Sequence, residues 1–453
     1  MPRCGCMQCN PNSTEFMSFS PDVLIIGGGP AGSTIGTFLA RNSRKVVLLE
    51  KDEHPRFHIG ESLLPMNLPI LERLGVLEQM QNIGVVKRGA DFTYSDNPLV
   101  YRTYNFDRAL GQSPDHAFEV KRETFDHMLF ENCQQAGVET HQNHRVVKID
   151  LDTGGTHRVY SKDADGSEQQ WTPRFLVDAS GRDAFMAGNN GWKRKNPQHA
   201  SAAIFGHFKG VQTRPGKNAG NISLYWFPHG WLWMIPLQDD VMSIGAVCWP
   251  EYLKQRRGDT EAFFRDTLAL CPAASKRVEH AQVVAPVRVT GNYSYRATRL
   301  WGNGYLLIGD AFAFIDPVFS SGVYLAMNSA EGSVSIVEHW LNGERRKFAS
   351  ACRRFERRTR AGLRAYSWFI YRFTSPAMRN LFKAPRNVMQ VEQAVVSMLA
   401  GDVFANSNVR LRLMLFRMIY SVSWLLRLKE SFAARRRRLR NAGLTFNDRE
   451  KVG

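Results

Sequence analysis

The 453-residue chain lacks the features that mark several large classes of protein. It has no run of about 18 apolar residues, and no basic, apolar and cleavage regions in signal-peptide order, so we expect neither a transmembrane helix nor a secretory leader. Its seven cysteines are odd in number and mostly scattered, which disfavours structural disulfides. These absences predict a globular, cytoplasmic protein.

Three of the cysteines, Cys4, Cys6 and Cys9, lie close together in the stretch "CGCMQC". A closed zinc site needs four ligands, and this stretch belongs to a polar segment that contains several Asn and Ser residues. We therefore predict that residues 1–19 form a flexible tail and that the protein has no metal site.

Acidic residues are scarce relative to basic ones, with 42 Asp and Glu against 59 Lys and Arg, a net charge of +17. The excess gathers beyond Gly343, notably in "CRRFERRTRAGLR" and "ARRRRLR". No zinc-finger spacing, RNA-binding aromatic pair or zipper heptad accompanies these runs, so we expect no nucleic-acid partner. The expected partner of this region is an acidic protein or an anionic membrane surface, the latter implying a peripheral location at the membrane.

Two C-terminal stretches carry more specific expectations. A nearly all-apolar helix is predicted at residues 411–428, and such a helix is expected to be buried in its own protein. The four arginines from Arg435 to Arg438 follow it and cannot all be buried. Their guanidinium groups offer bidentate sites to phosphates or carboxylates.

A strand, a glycine turn and a helix are predicted over residues 22–40. The apolar run "DVLII" precedes Gly27, Gly29 and Gly32, which form the pattern GxGxxG. In such turns the first glycine makes the tight turn, the second lets a pyrophosphate approach, and the third lets the helix pack on the strand. The next strand, "KVVLLE", ends at Glu50, where an acidic residue typically binds a ribose hydroxyl. The pattern predicts a dinucleotide site.

Three further motifs indicate which dinucleotide. The stretches "FEVKRETFD" (118–126), "FLVDASGRDA" (175–184) and "GYLLIGDAFAFIDPVFSSGV" (304–323) resemble the family of FAD-dependent aromatic hydroxylases and halogenases, over roughly residues 20–345. The resemblance implies FAD, bound by Gly27, Gly29, Ala31, Gly32, Ser33, Glu50, Lys51, Arg56, Ser62, Arg122, Asp310, Pro317 and Gly322. No second dinucleotide fingerprint occurs in the sequence, so we expect FAD to be supplied already reduced by a separate flavin reductase.

The same resemblance sets the expected architecture, an α/β fold with three parts. An FAD-binding, Rossmann-like three-layer domain is expected over residues 20–345. It is discontinuous, because a substrate-binding β-sheet domain is interleaved at about 92–117 and 198–285. A C-terminal helical region with a basic tail is expected over residues 346–453.

The stretch "WLWMIP" resembles the WxWxIP signature of one branch of the family, the flavin-dependent halogenases. On a strand of period two, Trp231 and Trp233 point to the same face. Two aromatic residues on one strand, without any other motif, usually belong to an ordinary core. In the halogenases, however, these two tryptophans and Pro236 would form a tunnel wall that keeps organic substrate away from the flavin.

The stretch "FIDPVFSSG" fits a second signature of this branch, F-x-x-P-x-x-S-x-G. The resemblance places a halide at Ser320, Ser321 and Gly322, where backbone N–H groups would bind it. Backbone donors suit an anion because they supply neither a base nor a fixed charge. Tryptophan halogenases have a glutamate between the proline and the serine, whereas this chain has Phe319, which favours the branch that acts on phenols and pyrroles.

In "VKRGADF", Lys87 matches the catalytic lysine of the halogenases. The resemblance implies that this lysine either hydrogen-bonds hypohalous acid or is itself halogenated to a chloramine. Both roles need a nitrogen that dry, apolar surroundings shift toward neutrality. The neighbouring Arg88 cannot act as a nucleophile.

The sequence as a whole resembles a two-component halogenase of specialised metabolism, such as antibiotic or pigment biosynthesis. It would use reduced FAD, O2 and chloride or bromide on an electron-rich phenol or pyrrole, either free or tethered to an acyl carrier protein. One alternative is an FAD-dependent hydroxylase or lipid reductase of the same fold. The other is a non-catalytic flavoprotein that binds a membrane or a carrier protein.

Overall fold

A computed structural model describes residues 18–385, 387–403 and 407–444. Cys4, Cys6 and Cys9 of the predicted tail lie outside these residues. Among the described residues, no cluster of His, Cys, Asp and Glu could hold a metal ion, and no helix has the length and apolar character of a membrane span.

The described residues form twenty-three strands and fourteen α-helices. The strands are β1 Ser18–Phe19, β2 Val23–Ile26, β3 Val46–Leu49, β4 Val85–Lys87, β5 Gly89–Thr93, β6 Tyr101–Asn105, β7 Ala117–Glu119, β8 Glu139–His141, β9 Arg145–Asp150, β10 Arg158–Lys162, β11 Glu168–Trp171, β12 Phe175–Asp178, β13 Lys193–Lys195, β14 Ser201–Lys209, β15 Ile222–Phe227, β16 Gly230–Pro236, β17 Met242–Cys248, β18 Gln282–Val283, β19 Arg288–Tyr293, β20 Tyr295–Ala297, β21 Trp301–Gly302, β22 Tyr305–Leu307 and β23 Ala313–Phe314. The helices are α1 Pro30–Arg41, α2 Leu68–Leu74, α3 Leu77–Ile83, α4 Arg122–Gln135, α5 Phe185–Asn189, α6 Pro250–Leu253, α7 Thr260–Ala269, α8 Pro272–Arg277, α9 Ser321–Leu341, α10 Arg345–Ile370, α11 Pro376–Lys383, α12 Val391–Ala400, α13 Ser407–Leu425 and α14 Leu428–Gly443.

A six-stranded sheet with the order β21-β22-β12-β2-β3-β8 forms the centre of the first core. Strands β22, β12, β2, β3 and β8 are parallel, and every residue of β2, β3 and β12 is buried. Such continuous apolar runs are typical of strands covered on both faces. Helix α1 packs against α4 and α9 beside this sheet, and the sheet of β1, β9, β10 and β11 adds Val146, Val159 and Trp171 to the same core. The predicted α/β dinucleotide-binding architecture is confirmed.

A second sheet has the order β18-β14-β17-β16-β15-β5-β6, with β19 also paired to β14. Its central strand β16 is buried along its whole length and turns alternate side chains to two different cores. Trp231, Trp233 and Ile235 join one core, and Leu232 and Met234 join the other. We retain the sequence-based boundaries of this substrate sheet as a proposal.

Helices α10 to α13 cover the tryptophan face of the second sheet, with aromatic side chains from α10, α11 and α13 and aliphatic ones from α12. Phe373, just beyond α10, lies at the centre of this contact. Its ring centroid is 6.1 Å from Trp231, 5.2 Å from Trp226 and 5.6 Å from Phe319. The helical region is therefore one wall of the core that contains the two predicted tunnel tryptophans.

The expectation that the helix at residues 411–428 would be buried is wrong. Helix α13 buries Val409, Leu413, Phe416 and Tyr420, but its opposite face is open to solvent. Only one face of the helix is buried, although most of its residues are apolar. Sequence hydrophobicity alone therefore overstated its burial.

The four arginines from Arg435 to Arg438 are not all buried, as expected, but not all of them are free to bind an outside anion. Arg437 donates to Glu251 Oε1 at 2.9 Å and to the Pro228 carbonyl at 2.7 Å. Arg438 donates to the Tyr371 carbonyl at 2.5 Å. Half of the cluster thus ties α14 to the body of the protein, and only Arg435 and Arg436 remain exposed.

Replacing Phe373 with alanine should lower the free energy of unfolding by about 3–5 kcal/mol, because it opens a cavity between the helical layer and the second sheet. Phe432→Ala is the matched control, since this side chain is 45% exposed and should cost much less. Urea unfolding followed by circular dichroism measures both. Equal losses in the two variants would contradict the packing described.

Candidate active site

A cavity of about 540 Å³ lies between the two sheets, within the size range of ligand and cofactor sites. It is lined by the glycine turn, by the segment from Leu49 to Ser62, by the turn that precedes α9 and by the tryptophan face of β16. Of the sequence-predicted site residues, the lining set is Gly27, Gly29, Ala31, Glu50, Lys51, Arg56, Ser62, Arg122, Trp231, Trp233, Asp310, Pro317, Ser320, Ser321 and Gly322. Gly32, Ser33, Pro236 and Lys87 do not line it.

The three glycines of the turn have separate roles in the structure. A Cβ on Gly32 would lie 1.9 Å from the Gly27 carbonyl oxygen, so Gly32 lets helix α1 start against the turn. Gly27 has φ +102° and faces the Ala179 carbonyl. A Cβ on Gly29, in contrast, would meet only Arg56 Nη2, at 3.6 Å, and would point into the cavity. Gly29 is therefore the position at which a bound pyrophosphate can approach the backbone.

Polar side chains beyond the glycine turn are held in position by hydrogen bonds to neighbouring groups. Glu50 Oε2 accepts a 2.7 Å hydrogen bond from the Gly28 amide, which ties the end of β3 to the turn. Arg122 donates to both carboxylate oxygens of Asp126, at 2.7 and 2.9 Å. This bidentate pair fixes the guanidinium at the cavity wall. Burial raises the pKa of Asp310 to about 6, although the nearby Arg182 lowers it.

The two tryptophans of β16 form one side of the cavity, as the period-two interpretation predicts. Their ring centroids are 5.9 Å apart, and Trp233 Nε1 donates to Ser243 Oγ at 3.2 Å. The Trp233 ring lies across Gly245 of the neighbouring strand, where a Cβ would come within 2.2 Å of it. Pro236 ends the strand outside the cavity lining, whereas Ile235 lines it.

The turn before α9 lies at the same end of the cavity. Ser320 has φ +54°, and this left-handed residue reverses the chain so that α9 begins at Ser321. The amides at the start of a helix have no intrahelical acceptor, and the helix dipole favours an anion there. A Cβ on Gly322 would meet nothing within 4 Å. Phe319, by contrast, points away from the cavity and packs against Phe369 and Phe373.

Lys87 lies immediately behind this cavity and is almost completely buried. Its Nζ donates to Ser62 Oγ at 2.7 Å and to the Leu63 carbonyl at 3.0 Å. Ser62 lines the cavity and Lys87 does not, so the hydrogen bond to Ser62 connects the lysine to the edge of the cavity. Burial lowers the pKa of Lys87, an effect that Glu119 partly opposes.

Sequence reasoning missed Glu119 as a site residue. Strands β4 and β7 pair antiparallel with Lys87 opposite Ala117, so Glu119, two residues on, shares the face of Lys87. Its Oε1 lies 3.9 Å from Lys87 Nζ, and Ser62, which accepts a hydrogen bond from Lys87, also interacts with this carboxyl group. Burial raises the pKa of Glu119 to about 8, although Lys87 lowers it. The available signal was a carboxylate in the short apolar run "AFE" just before Arg122.

Comparison with known proteins identifies the family of this chain. The family described as FAD binding domain matches residues 20–360. A 1H-pyrrole-2-carbonyl-(peptidyl-carrier protein) brominase of Pseudoalteromonas luteoviolacea is 32% identical over 338 residues, which cover 73% of this chain and 80% of the brominase. The chain belongs to the flavin-dependent halogenases. This family comprises FAD-dependent oxidoreductases, and the FAD cofactor and halide expected from the sequence are confirmed at the level of the family.

Two further relatives support this halogenase assignment. A tryptophan 2-halogenase of Chondromyces crocatus is 35% identical over 333 residues, which cover 72% of this chain but only 62% of that halogenase. The solved myxobacterial chondrochloren halogenase CndH matches with a TM-score of 0.74 and 29% identity, over 95% of this chain and 99% of CndH. The similarity to CndH therefore extends into the C-terminal helical region of this halogenase.

The cavity residues fit FAD. Gly29 leaves space beside the N-terminus of α1, where a pyrophosphate binds, and Glu50 and Asp310 provide carboxylates farther along the same cavity. Trp231, Trp233 and the turn at Ser321 line the other part. We retain the individual cofactor and halide contacts as predictions.

Gly29→Ala should weaken FAD binding by more than about tenfold, because the added methyl group occupies the approach of the pyrophosphate. The thermal unfolding temperature of the FAD-free protein should hardly change, since the nearest atom is the end of the Arg56 side chain. FAD fluorescence titration measures the affinity. Gly188→Ala, in a helix position with no atom within 4 Å, is the control, and equal affinity in the two variants would contradict the assignment.

Proposed function

We propose that this halogenase installs chlorine or bromine on an electron-rich phenol or pyrrole, using FAD that a separate reductase has reduced. The observation that carries the proposal is the convergence of the halide-type turn and the two β16 tryptophans on one cavity, with Lys87 behind Ser62 at its edge. When bound and reduced, FAD supplies the electrons that activate O2 to oxidise the halide to hypohalous acid.

The proposed role of the turn is to hold the halide. Backbone amides of Ser321 and Gly322 would donate to it at the N-terminus of α9, a helix of 21 residues. Asp316 stabilises the turn from behind, because its Oδ1 accepts from the Val318 amide at 3.2 Å and its Oδ2 accepts from Ser201 Oγ at 2.7 Å. The halide therefore meets donors whose positions are fixed before it binds.

The proposed role of Trp231 and Trp233 is to keep the aromatic substrate away from the cofactor. Only a small oxidised halogen species would then pass toward Lys87. The ring forms its new carbon–halogen bond there, loses a proton from the same carbon, and water is released. Lys87 either hydrogen-bonds the hypohalous acid or carries the halogen as a chloramine.

We further propose that Glu119 exchanges a proton with Lys87. Burial raises the pKa of the carboxyl group and lowers that of the amine, so the two values approach each other. A proton can then pass from nitrogen to oxygen without any change in the net charge of the pair. Ser62, bonded to Lys87 Nζ, would hold the amine in position during this exchange.

Two observations support the proposed substrate class and partner. Phe319 occupies the position of the glutamate in tryptophan halogenases and turns into the helical layer, so no carboxylate from that position faces a substrate. The brominase of Pseudoalteromonas luteoviolacea is named for a pyrrole on a peptidyl carrier protein. We therefore propose a phenolic or pyrrole substrate, with tethering to an acidic carrier as one form. Contact of the basic C-terminal region with an anionic membrane surface stays a prediction.

The decisive experiment combines the protein with a flavin reductase, FAD, NADH, chloride or bromide, and a panel of phenols and pyrroles. Mass spectrometry should detect halogen isotope patterns in the product, and the protein alone should not oxidise NADPH. Lys87→Met should reduce halogenated product by at least about a hundredfold while FAD binding is retained. The matched control is Arg88→Met, because the Arg88 side chain is exposed and should not matter.

Product that is hydroxylated or hydrogenated without dependence on halide would overturn the proposal and favour the hydroxylase or reductase alternative. Stoichiometric FAD without any halide or oxygen chemistry would instead favour the non-catalytic flavoprotein. Wild-type yield in Lys87→Met would remove the lysine from the mechanism but leave the halogenase function standing.

Glu119→Gln provides a separate test of the proton partner. The negative charge of Glu119 raises the pKa of Lys87, so its removal should move the pH profile of ring halogenation toward lower pH by about one unit. A rise in activity at low pH would indicate that the neutral amine reacts, whereas a loss at neutral pH would indicate that the ammonium form is needed. Glu123→Gln, an exposed change on α4, should leave the profile in place.

An unchanged pH profile in Glu119→Gln would contradict the proposed exchange. Thermal unfolding of the variant separates this result from misfolding. Unlike a purely structural role, the proposed role predicts a shift along the pH axis and not merely a lower rate at every pH.

A further inference from the structure

Helix α13 presents an unpartnered apolar stripe on the outer surface of the protein. We define the α13 stripe as the five side chains Leu411, Met414, Met418, Val422 and Leu425, which are between 57 and 66% exposed. At 100° per residue they fall within an arc of about 80°, and the stripe is about 21 Å long. Solvent-exposed apolar side chains in a continuous patch usually mark an interaction surface.

The segment of the chain that carries this stripe is rich in basic residues and has almost no acidic ones. Between Ser407 and Leu444 the chain has ten Lys and Arg residues and one acidic residue, Glu430. Arg410 on α13 and Arg435 and Arg436 on α14 are exposed. A helix with an apolar face and flanking arginines is typical of segments that lie in the interface of an anionic membrane.

The apolar surface continues beyond the helix. Leu426 is 81% exposed, and Leu428 and Phe432 at the start of α14 are 44 and 45% exposed. The opposite face of α13 is well anchored, because Phe416 stacks on Phe369 at 5.3 Å and Tyr420 packs on Trp368 at 5.2 Å. The stripe is thus the outer side of a packed helix and not a frayed end.

We infer that α13 and α14 dock this halogenase on an anionic lipid surface, with the α13 stripe entering the acyl region and Arg410, Arg435 and Arg436 contacting the headgroups. A second copy of the chain is disfavoured, because a symmetric contact between two such surfaces would bring many cations together with one carboxylate from each copy. A folded acidic protein would match the arginines, but five adjacent apolar side chains without a charged residue inside the arc suit a lipid leaflet better.

The test uses the full chain and vesicles of phosphatidylcholine, with or without phosphatidylglycerol at a ratio of about 2:1. Wild-type protein should sediment with the anionic vesicles and not with pure phosphatidylcholine. Binding should weaken by more than about tenfold as the salt concentration rises, because ions screen the arginines over a Debye length of about 10 Å or less. This salt series needs no substitution and so carries no risk of misfolding.

Two variants separate the apolar and the electrostatic contributions. Met414→Gln combined with Met418→Gln should weaken vesicle binding by more than about tenfold, and so should Arg410→Gln combined with Arg435→Gln and Arg436→Gln. The matched controls are Leu99→Gln with Leu270→Gln, and Arg346→Gln with Arg353→Gln and Arg357→Gln. The first control replaces exposed apolar side chains elsewhere on the surface, and the second replaces exposed arginines elsewhere. Both control proteins should bind vesicles like wild type.

Absence of wild-type binding to the anionic vesicles, or unchanged binding in the stripe variant, would overturn the inference. A dimer that the stripe variant converts to a monomer, without vesicle binding, would identify the surface as a subunit interface. Loss of binding to an acidic carrier protein alone would identify a protein partner. Halogenation of a freely dissolved phenol should stay unchanged in the stripe variant, so failure of docking is distinguishable from failure of the proposed function.

Discussion

Strand β16 belongs to two cores at once, and the arrangement of the cavity depends on this. Its alternating side chains place Trp231 and Trp233 toward the cavity, while Leu232 and Met234 join the core that also contains residues of α7 and α8. A slip of one residue would exchange the two sets. Antiparallel pairing on both edges, to β15 and β17, prevents that slip. The tryptophan wall is thus fixed by the register of the sheet.

A second constraint is the burial of charge next to the cavity. Moving an amine and a carboxylate out of water costs several kcal/mol for each ion, and their attraction offsets this only in good geometry. Lys87 donates to two acceptors, Ser62 Oγ and the Leu63 carbonyl, and its Nζ lies 3.9 Å from Glu119 Oε1. Burial raises the pKa of Glu119, although Lys87 and Ser62 lower it, and burial lowers the pKa of Lys87. Two buried groups whose pKa values are shifted toward each other are more typical of a reactive pair than of a structural ion pair.

The parts of this site that sequence could predict are those encoded locally. The glycine turn, the period-two tryptophans and the turn at Ser320 each depend on a few adjacent residues. Glu119 was missed because its relation to Lys87 depends on the pairing of β4 with β7, which are about thirty residues apart in the chain. Arg437 was misjudged for a similar reason, since its partner Glu251 is 186 positions away. The burial of α13 depended on which elements pack on it, and hydrophobicity does not encode that.

Helix α10 fixes the position of the α13 surface relative to the cavity. Its 26 residues bury Phe348 in the core of the dinucleotide sheet and Phe369 in the core that contains the tryptophan wall. Phe369 contacts Phe416 of α13 on one side and Phe319, in the turn before α9, on the other. Because packed aromatic cores resist deformation, the orientation of α13 is set relative to the cavity. A lipid surface bound at α13 would therefore lie two helical layers from the turn before α9, on the side of the second sheet away from α7 and α8.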